Sequence, residues 1–457
     1  MIVNVLLCSV DANEGLLAEL PFRRFFGERS LSWLGDLRSP DTRLVILTPD
    51  PIPHEILDYN LRDVLGFDQG DERTAETRLV LLSPHSRSPL PLVDLVLGDP
   101  ALVDDLRREV ASAETAVLVN FSPSEEVEEL AGRIGAAIEE GPSLPARYWG
   151  SKSGSKAAFT ASGVRTCRGA MTPLYSLDAV CDAALELAET SPPIAHLLVK
   201  LDSARWSGGV GNALVNCDRL RHSRQLHWAV DEILQPWESF VRHLPVDGAI
   251  VEEYVRGCSS PSGQAVIDPD GVTIVRASHE QVVVDGQYQG CVFPVPEGLR
   301  PGIDDALRKV GSTLARAGVR GTFGIDFLAL ESGEVIGTEI NVRKLGPSHA
   351  LRSVEGALGD RLMPDGRLQS SGASIAYVHR RRHHHDAWHG VRPAAAISVL
   401  RERRLLLDRA TRTGAILHIL EALPACGYLE TTCVGGSRTE AELVDSEVTA
   451  ALSTLGG

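Results

Sequence analysis

The first 140 residues alternate short apolar runs with longer segments of helical periodicity. The strand-like runs are IVNVLLCS, RLVILTP, RLVLLSP and AVLVNF, and the helix-like segments include ALVDDLRREVAS and SPSEEVEELAGRIGAAIEE. This alternation favours parallel strands joined by crossover helices, so we predict an α/β fold that opens with a doubly wound sheet. The last of these helices is predicted to begin at Ser122, with Pro123 in its first turn and Glu125 completing a capping box.

Chain length and local composition predict how the remainder is divided. A chain of 457 residues exceeds what one hydrophobic core usually serves. Residues 141–155, GPSLPARYWGSKSGS, interrupt the alternation with Gly, Pro and Ser, which is typical of a boundary. We therefore predict domains at residues 1–145, 146–248 and 249–457.

The net charge of −16 limits the partners of the chain. A nucleic-acid ligand requires a basic contact face, and none stands out, so we expect no nucleic-acid partner. The first residues lack the basic flank of a signal peptide, and no apolar run approaches the ~20 residues of a membrane span. The expected setting is therefore cytoplasmic, without a membrane partner. The oligomeric state stays open, although the homodimer is the commonest soluble assembly.

The eight cysteines are scattered without a C-x-x-C pair. This spacing disfavours a zinc ribbon and a redox motif. We expect most of these cysteines to be buried free thiols. The turn after the first strand also lacks G-x-G-x-x-G, so a dinucleotide site is not expected there.

The segment GTFGIDFLALESGEVIGTEINVR, residues 321–343, reads as a β-hairpin. If Ser332-Gly333 is its two-residue turn, Asp326 faces Glu339 and Asn341 projects from the same side. Opposed carboxylates destabilise a hairpin unless a cation or a proton lies between them. Oxygen ligands of this kind suit Mg²⁺, which also accepts phosphate oxygens. A register slip of one residue is the alternative, and it would turn one carboxylate to solvent.

Two lysines and a glycine-rich turn point to a phosphate ligand. Lys200 lies within the apolar run HLLVKLDS, where its charge is costly to bury unless it is paired or bound to an anion. The turn that includes Ser207, Gly208 and Gly209 could close its amides over a polyphosphate, although many such turns only reverse the chain. Lys156 precedes a predicted helix over residues 156–162, but an isolated lysine there is commonly solvated. The spacing of GSKSGSK excludes a P-loop.

The order of these parts is more specific than any one of them. It runs from Lys156 through the Lys200 strand, the glycine-rich turn, the strand AIVEEYV, GIDFL and EINVR to GPSH. This order resembles the ATP-grasp carboxylate–amine ligases over about residues 150–355, and the region before it resembles their pre-ATP-grasp domain. The segments SHEQVVVDGQYQGCVFP and GYLETTCVGGSRTEAELVDSEVTAAL resemble the actinomycete peptide ligases typified by the pheganomycin enzyme.

The resemblance implies an N-terminal pre-ATP-grasp domain, an ATP-grasp fold of two subdomains, and ATP and Mg²⁺ as cofactors. Lys156 and Lys200 would bind phosphate, and the turn from Ser207 would form a lid. Asp326 and Glu339 would bind Mg²⁺, with Asn341 completing a second site. The remaining implied groups are the nucleotide-binding hinge residues Glu252, Glu253, Tyr254 and Val255 and the catalytic candidates Arg343 and Ser348. The hinge is followed by CSSPSGQ, where many relatives carry a charge, and this departure puts the ribose or acid contacts on that side in doubt.

The implied reaction is an ATP-dependent ligation. The carboxylate of an unusual amino acid would form an acyl phosphate, and the amine of a peptide would displace phosphate, in natural-product biosynthesis. Arg343 would stabilise the transferred phosphoryl group and, helped by the amides of residues 346–348, the oxyanion that develops when the amine attacks. His349 is either the general base or a capping or packing group. A nucleotide-binding protein without turnover and a phosphotransferase remain alternatives.

The tract HRRRHHHDAWH lies in the C-terminal third of the chain. Consecutive histidines cannot all converge on one ion from a regular element, which disfavours a transition-metal site at His383, His384 and His385. We expect a solvated surface loop, or a positive rim with Arg380 and its neighbours that receives a peptide carboxylate.

Overall fold

The computed structural model describes residues 1–8, 21–84, 88, 90–190, 194–203, 210–284, 287–359, 361–362, 368–370 and 373–456. The strands are β1 Ile2–Leu7, β2 Thr42–Leu47, β3 Leu79–Leu82, β4 Thr115–Asn120, β5 Ala137–Ile138, β6 His196–Leu201, β7 Asn212–Asn216, β8 Val230–Ile233, β9 Ala249–Glu253, β10 Pro261–Ile267, β11 Thr273–Val284, β12 Gln287–Phe293, β13 Gly321–Ala329, β14 Val335–Asn341, β15 Arg361–Leu362, β16 Leu368–Ser370, β17 Ala373–His384, β18 Gly414–His418 and β19 Tyr428–Gly435.

The α-helices are α1 His54–Asp58, α2 Gln69–Glu76, α3 Leu92–Leu97, α4 Pro100–Val110, α5 Glu125–Ile134, α6 Ser143–Trp149, α7 Lys152–Ser162, α8 Leu177–Ala188, α9 Cys217–Ser223, α10 Leu226–Ala229, α11 Trp237–Asp247, α12 Arg300–Arg316, α13 Gly346–Leu358, α14 Pro393–Glu402, α15 Ala422–Cys426 and α16 Arg438–Leu452. A long 3₁₀ helix covers Pro21–Arg38, a short one covers Asp386–Trp388, and a π-helical turn, Tyr59–Val64, continues α1. Within the described residues, no helix is long and apolar enough to cross a bilayer.

The chain forms two compact units. Unit one comprises Met1–Ser143, Gln289–Pro294 and Arg343–Gly457, and unit two comprises Leu144–Tyr288 and Val295–Val342. The change of unit at Ser143 lies inside the Gly- and Pro-rich stretch predicted as a boundary. The predicted division into three domains stays a prediction.

Unit one opens with the doubly wound sheet expected from the sequence. Its strand order is β3-β2-β1-β4-β5, and the strands are parallel. Strands β1, β2 and β4 pack their apolar side chains against α3, α4 and α5. Strands β2 and β3 are added on one side of β1, and β4 and β5 on its other side. The strand order therefore reverses between β1 and β4. The prediction of an α/β fold is confirmed.

The boundaries of α5 differ from the prediction at both ends. The N-cap is Ser124, whose hydroxyl accepts a hydrogen bond from the Val127 amide, and not Ser122. At the other end Gly135 adopts a left-handed conformation with φ of 77°. This glycine ends the helix early, and the following Ala137–Ile138 pairs with β4 as a strand.

The second sheet of unit one is antiparallel and is centred on β17, which pairs with β12, β16 and β19. β17 contains the first half of the His/Arg tract, so the expectation of a solvated loop is wrong for that half of the tract. His383 is buried, with Nε2 2.9 Å from the Thr431 hydroxyl, and the Arg380 guanidinium pairs with Asp445. These partners from β19 and α16 explain how the charged tract is accommodated in a sheet.

Unit two contains an antiparallel sheet of order β8-β7-β6-β9, whose apolar face packs on α8 and α11. The predicted helix near DEILQPWESFVRHL divides here, because residues 230–233 form β8 and the helix α11 begins only at Trp237 after Pro236. A second set of antiparallel strands runs β14-β13-β10-β11 and packs on α7 and α12. The predicted antiparallel strands between 264 and 294 are confirmed as β10, β11 and β12.

The eight cysteines are all free thiols, and none is exposed. Cys167, Cys217, Cys291 and Cys433 are buried, and the others are partly buried. The lack of disulfides fits the expectation, but four of the eight are buried and not the majority that was predicted.

Candidate active site

The β13–β14 hairpin of unit two opposes two carboxylates as predicted. Asp326 pairs with Glu339, and Gly324 pairs with Asn341, so the three oxygen-bearing side chains lie on one side of the hairpin. The predicted two-residue turn is wrong. The Leu330 amide donates to the Glu334 carbonyl oxygen at 2.9 Å, which closes a three-residue turn whose last residue, Gly333, has φ of 82°.

A bulge restores the register that the longer turn would have shifted. Phe327 pairs with Gly337, and the register changes between Asp326 and Phe327, which leaves Thr338 as the extra residue. The Thr338 hydroxyl donates to the Asp326 carbonyl oxygen at 2.9 Å and closes the bulge. The pairing of Asp326 with Glu339 therefore depends on a bulge that the sequence did not reveal.

Amide side chains hold the Asp326 carboxylate. Asn341 Nδ2 donates to Oδ2 at 3.0 Å, and Gln281 Nε2 donates to Oδ1 at 2.6 Å. Gln281 comes from β11, two strands away from β13 in the sheet. The sequence analysis did not anticipate this contact of Gln281.

Lys152 is the group that sequence reasoning missed. It is 2% exposed, and its Nζ lies 3.0 Å from Glu339 Oε1 and 3.1 Å from the Ser203 carbonyl oxygen. It lies four residues before Lys156, so both lysines project from one face of α7. That i, i+4 spacing in GSKSGSK was a signal that could have been used.

The beginning of α7 is fixed against the hairpin. The helix starts at Lys152 after the N-cap Ser151, four residues earlier than predicted, and ends at Gly163. The Ile340 amide donates to the Ser155 hydroxyl at 2.9 Å, and a Cβ on Gly337 would lie 2.6 Å from the Phe159 ring. These contacts fix the lysine face of α7 relative to β14.

Lys156 and Lys200 share one carboxylate. Lys156 Nζ lies 3.2 Å from Glu252 Oε2, and Lys200 Nζ contacts Glu252 Oε1. All three side chains are buried, which contradicts a solvated Lys156. Burial alone lowers the pKa of Lys200, but the nearby Glu252 and Glu339 outweigh it and raise that pKa above its usual value. Lys200 therefore stays charged at neutral pH.

The other hinge residues have separate roles in the fold. Glu253 points away from Glu252 and pairs with Arg168, with 2.7 Å between Oε2 and Nε. Tyr254 is exposed, and its amide donates to the His196 carbonyl oxygen at 3.1 Å. Val255 follows β9 and is partly buried. The lid candidates Ser207, Gly208 and Gly209 lie outside the described residues.

The catalytic candidates Arg343 and Ser348 belong to unit one. Strand β14 ends at Asn341, so strand alternation does not determine the direction of Arg343. The Ser348 hydroxyl accepts a hydrogen bond from the Leu345 amide at 2.9 Å and caps α13. His349 is buried, and burial with the nearby Arg29 lowers its pKa.

Known proteins match both halves of the chain. Residues 35–136 match the model of the pre-ATP-grasp domain, and residues 395–448 match the PGM1 C-terminal domain. The L-propargylglycine–L-glutamate ligase of Streptantibioticus cattleyicolor is 40% identical over 441 residues, which cover 96% of this chain and 92% of that protein.

Solved structures match at lower identity. The biotin carboxylase domain of the Hydrogenobacter thermophilus 2-oxoglutarate carboxylase, in complex with MgADP, has a TM-score of 0.54 at 14% identity, covering 99% of this chain and 89% of that one. The ADP complex of the Staphylococcus aureus N5-carboxyaminoimidazole synthetase has a TM-score of 0.53 at 9% identity, covering 98% and 96%.

The fold of this protein is thus that of the ATP-grasp enzymes, in which a doubly wound domain precedes the ATP-grasp sheets. The 40% identity over nearly the whole chain is specific enough to place it further. The chain belongs to the ATP-grasp carboxylate–amine ligases, in the group that contains the L-propargylglycine–L-glutamate ligase, and it is an ATP-dependent amino-acid ligase. The family expected from the sequence is confirmed.

Proposed function

We propose that the chain joins the carboxyl group of one amino acid to the amine of a second amino acid or a short peptide. ATP would convert the carboxyl group into an acyl phosphate, and the amine would then displace phosphate. The observation that carries this proposal is a group of three buried lysines that form ion pairs with two carboxylates. Lys152 pairs with Glu339, and Lys156 and Lys200 pair with Glu252. A triphosphate requires a comparable number of positive charges in a site that excludes water.

The hairpin residues fit a magnesium site. Asp326, Glu339 and Asn341 offer oxygen atoms only, from adjacent positions on two paired strands, which is the donor type that Mg²⁺ prefers. Magnesium, when bound there, would neutralise phosphate oxygens during transfer. Gln281 would keep the Asp326 carboxylate oriented through its 2.6 Å hydrogen bond. Lys152 would be released from Glu339 and become available to the terminal phosphate.

The remaining cationic groups would orient the nucleotide. Lys156 and Lys200, held at Glu252, would bind phosphate oxygens, and the hinge from Glu252 to Val255 would lie beside the adenine. Both lysine side chains are already ordered by burial within unit two, so they would lose little conformational entropy when the nucleotide binds. Arg343 is proposed to stabilise the transferred phosphoryl group.

A pocket in unit one supports an amino-acid substrate. It lies at the carboxyl ends of β1 and β4, where the strand order reverses, which is where ligands bind in open α/β sheets. Its cations are already paired, Arg29 with Glu430 and Lys344 with Glu140. The lining is therefore mainly apolar and suits a small uncharged side chain, and it includes Leu6, Leu7, Trp33, Val119 and Phe121.

Trp33→Ala tests this pocket. We expect KM for one of the two amino acids to rise about tenfold, because removal of the indole takes away 1–3 kcal/mol of apolar contact. KM for ATP should stay the same, and Trp33→Phe should recover most of the loss. Steady-state kinetics with each substrate varied in turn measures this. An unchanged KM for both amino acids would exclude the pocket as the amino-acid site.

The unusual amino acid implied by the family resemblance is supported by the relative's name, since propargylglycine is not a protein amino acid. This favours a role in natural-product biosynthesis. The testing experiment measures phosphate release from ATP across panels of amino acids and short peptides, followed by mass analysis of the product. Release that requires both an acid and an amine, with a new amide product, is the expected result. ATP binding without any product would favour a non-catalytic nucleotide-binding protein, and a stable phosphorylated product would favour a phosphotransferase.

A further inference from the structure

Three metal-binding side chains meet in the interior of unit one, outside the nucleotide site. His349 comes from the first turns of α13, His379 from β17 and Glu430 from β19. One nitrogen or oxygen atom from each lies within 4.8 Å of the other two. The exposed fractions are 4% for His349, 1% for His379 and 0% for Glu430.

Both oxygens of the Glu430 carboxylate accept from Arg29 Nη2, Oε2 at 3.2 Å, and Oε2 also faces the imidazoles. Oε1 accepts from Arg29 Nη2 at 2.8 Å and from the Tyr428 hydroxyl at 2.7 Å. Oε2 lies 3.2 Å from His349 Nε2 and 3.9 Å from His379 Nε2. Ligands around a zinc ion at its usual bond lengths lie about 3.3 Å apart, so small side-chain movements would bring these atoms to bonding distance.

The imidazole nitrogens that face Glu430 lack satisfied hydrogen bonds. Among the described residues, both nitrogens of His349 and Nε2 of His379 lack a partner that meets the angular criteria of a hydrogen bond, although the Glu430 carboxylate and the Gly346 backbone lie close to His349. Buried polar atoms of this kind require an explanation, such as an ion. On its other side, His379 Nδ1 lies 3.1 Å from the Thr432 hydroxyl, an outer contact of the kind that orients metal-binding histidines.

We propose that His349 Nε2, His379 Nε2 and Glu430 Oε2 bind a divalent transition-metal ion of the zinc type. Two imidazoles and one carboxylate select zinc and its neighbours in the first transition row over Mg²⁺, and three protein ligands leave a coordination position for water or another ligand. The ion would connect α13, β17 and β19 within unit one. It is distinct from the magnesium proposed for unit two.

The test uses the full chain, stripped with a chelator and then dialysed against Zn²⁺ or Co²⁺. We expect one zinc per chain by elemental analysis, retained in millimolar Mg²⁺, and visible Co²⁺ absorption typical of low coordination number. His349→Gln and His379→Gln should each lower zinc affinity by about 10-fold or more. His383→Gln is the matched control, since His383 is a buried histidine of the same strand that bonds Thr431, and it should retain zinc.

The exposed histidines provide the second control. The double variant His384→Gln/His385→Gln should keep the zinc; if it loses zinc while His379→Gln retains it, the proposal is wrong. A chain that binds neither ion also overturns it, and His349 and His379 then belong to a metal-free network with Arg29. If the buried variants do not fold, the Co²⁺ spectrum of the unaltered chain and its zinc-dependent melting temperature decide the question.

Discussion

Glu339→Gln is expected to lower kcat by about 10³-fold, because a carboxylate that would bind magnesium and release Lys152 becomes a neutral amide. The fold should persist, since the amide oxygen can still accept from Lys152, which also bonds the Ser203 carbonyl oxygen. The melting temperature should fall by only about 2–4 °C. Phosphate release in the presence of both amino acids measures kcat, and a thermal scan measures the change in stability.

The matched control for this variant is Glu334→Gln on the same hairpin. Glu334 lies beside the turn and pairs with Arg165, and both side chains are about half exposed. Its removal should leave kcat within about twofold, since exposed ion pairs contribute little. If Glu339→Gln retains full activity, or if both variants lose activity equally, the assignment of Glu339 to magnesium is wrong.

Glu252→Gln is expected to lower the free energy of unfolding by about 3–5 kcal/mol, because two buried ammonium groups lose their shared carboxylate. Lys156 contacts Oε2 of Glu252 and Lys200 contacts Oε1, and both lysines are almost inaccessible to water. Activity should fall as well, since the lysines would no longer be held where the nucleotide is proposed to bind. Urea unfolding followed by circular dichroism measures the stability loss.

The pH dependence distinguishes a charge effect from a packing effect. In the unaltered chain the pKa of Lys200 is raised, so its stabilising contribution is complete below the unfolded pKa of about 10.5 and is lost as the pH rises through the folded value. Without Glu252, mainly Glu339 opposes the effect of burial, so that pKa should fall, and the stability of the variant should increase with pH below the unfolded value. A pH-independent deficit would contradict the charge explanation.

Glu253→Gln is the control for this second variant. Glu253 is adjacent in β9 but pairs with the partly exposed Arg168, so its removal should cost no more than about 1 kcal/mol. A loss as large as that of Glu252→Gln would mean that the strand itself, and not the lysine pairing, is sensitive to substitution.

The hairpin shows how far the sequence could predict this site. Residue types and alternation correctly placed Asp326 opposite Glu339, with Asn341 on the same side. The turn was predicted one residue too short, and the bulge at Thr338 compensates for it. A bulge depends on contacts such as the Thr338 hydroxyl to the Asp326 carbonyl oxygen, which no local pattern reveals.

Groups that meet only after folding were harder to predict. Lys156 is fully buried because Glu252, almost a hundred residues later, provides its counter-charge. His349, His379 and Glu430 likewise come from one helix and two strands spread over about eighty residues, and their convergence depends on the pairing of β17 with β19. The strand and helix alternation of the first 140 residues was predictable because it depends on neighbours along the chain.

At the proposed nucleotide site, the lysine–carboxylate pairing in unit two would make nucleotide capture an exchange reaction. Each ammonium group already has an internal anion, so a simple ion such as sulfate gains little by entering, because it must compete with a tethered carboxylate. A triphosphate that arrives with its own divalent metal would supply both partners at once: phosphate for the lysines and metal for Glu339, which Lys152 would leave. The resting enzyme would thus reject the abundant small anions around it without any gate.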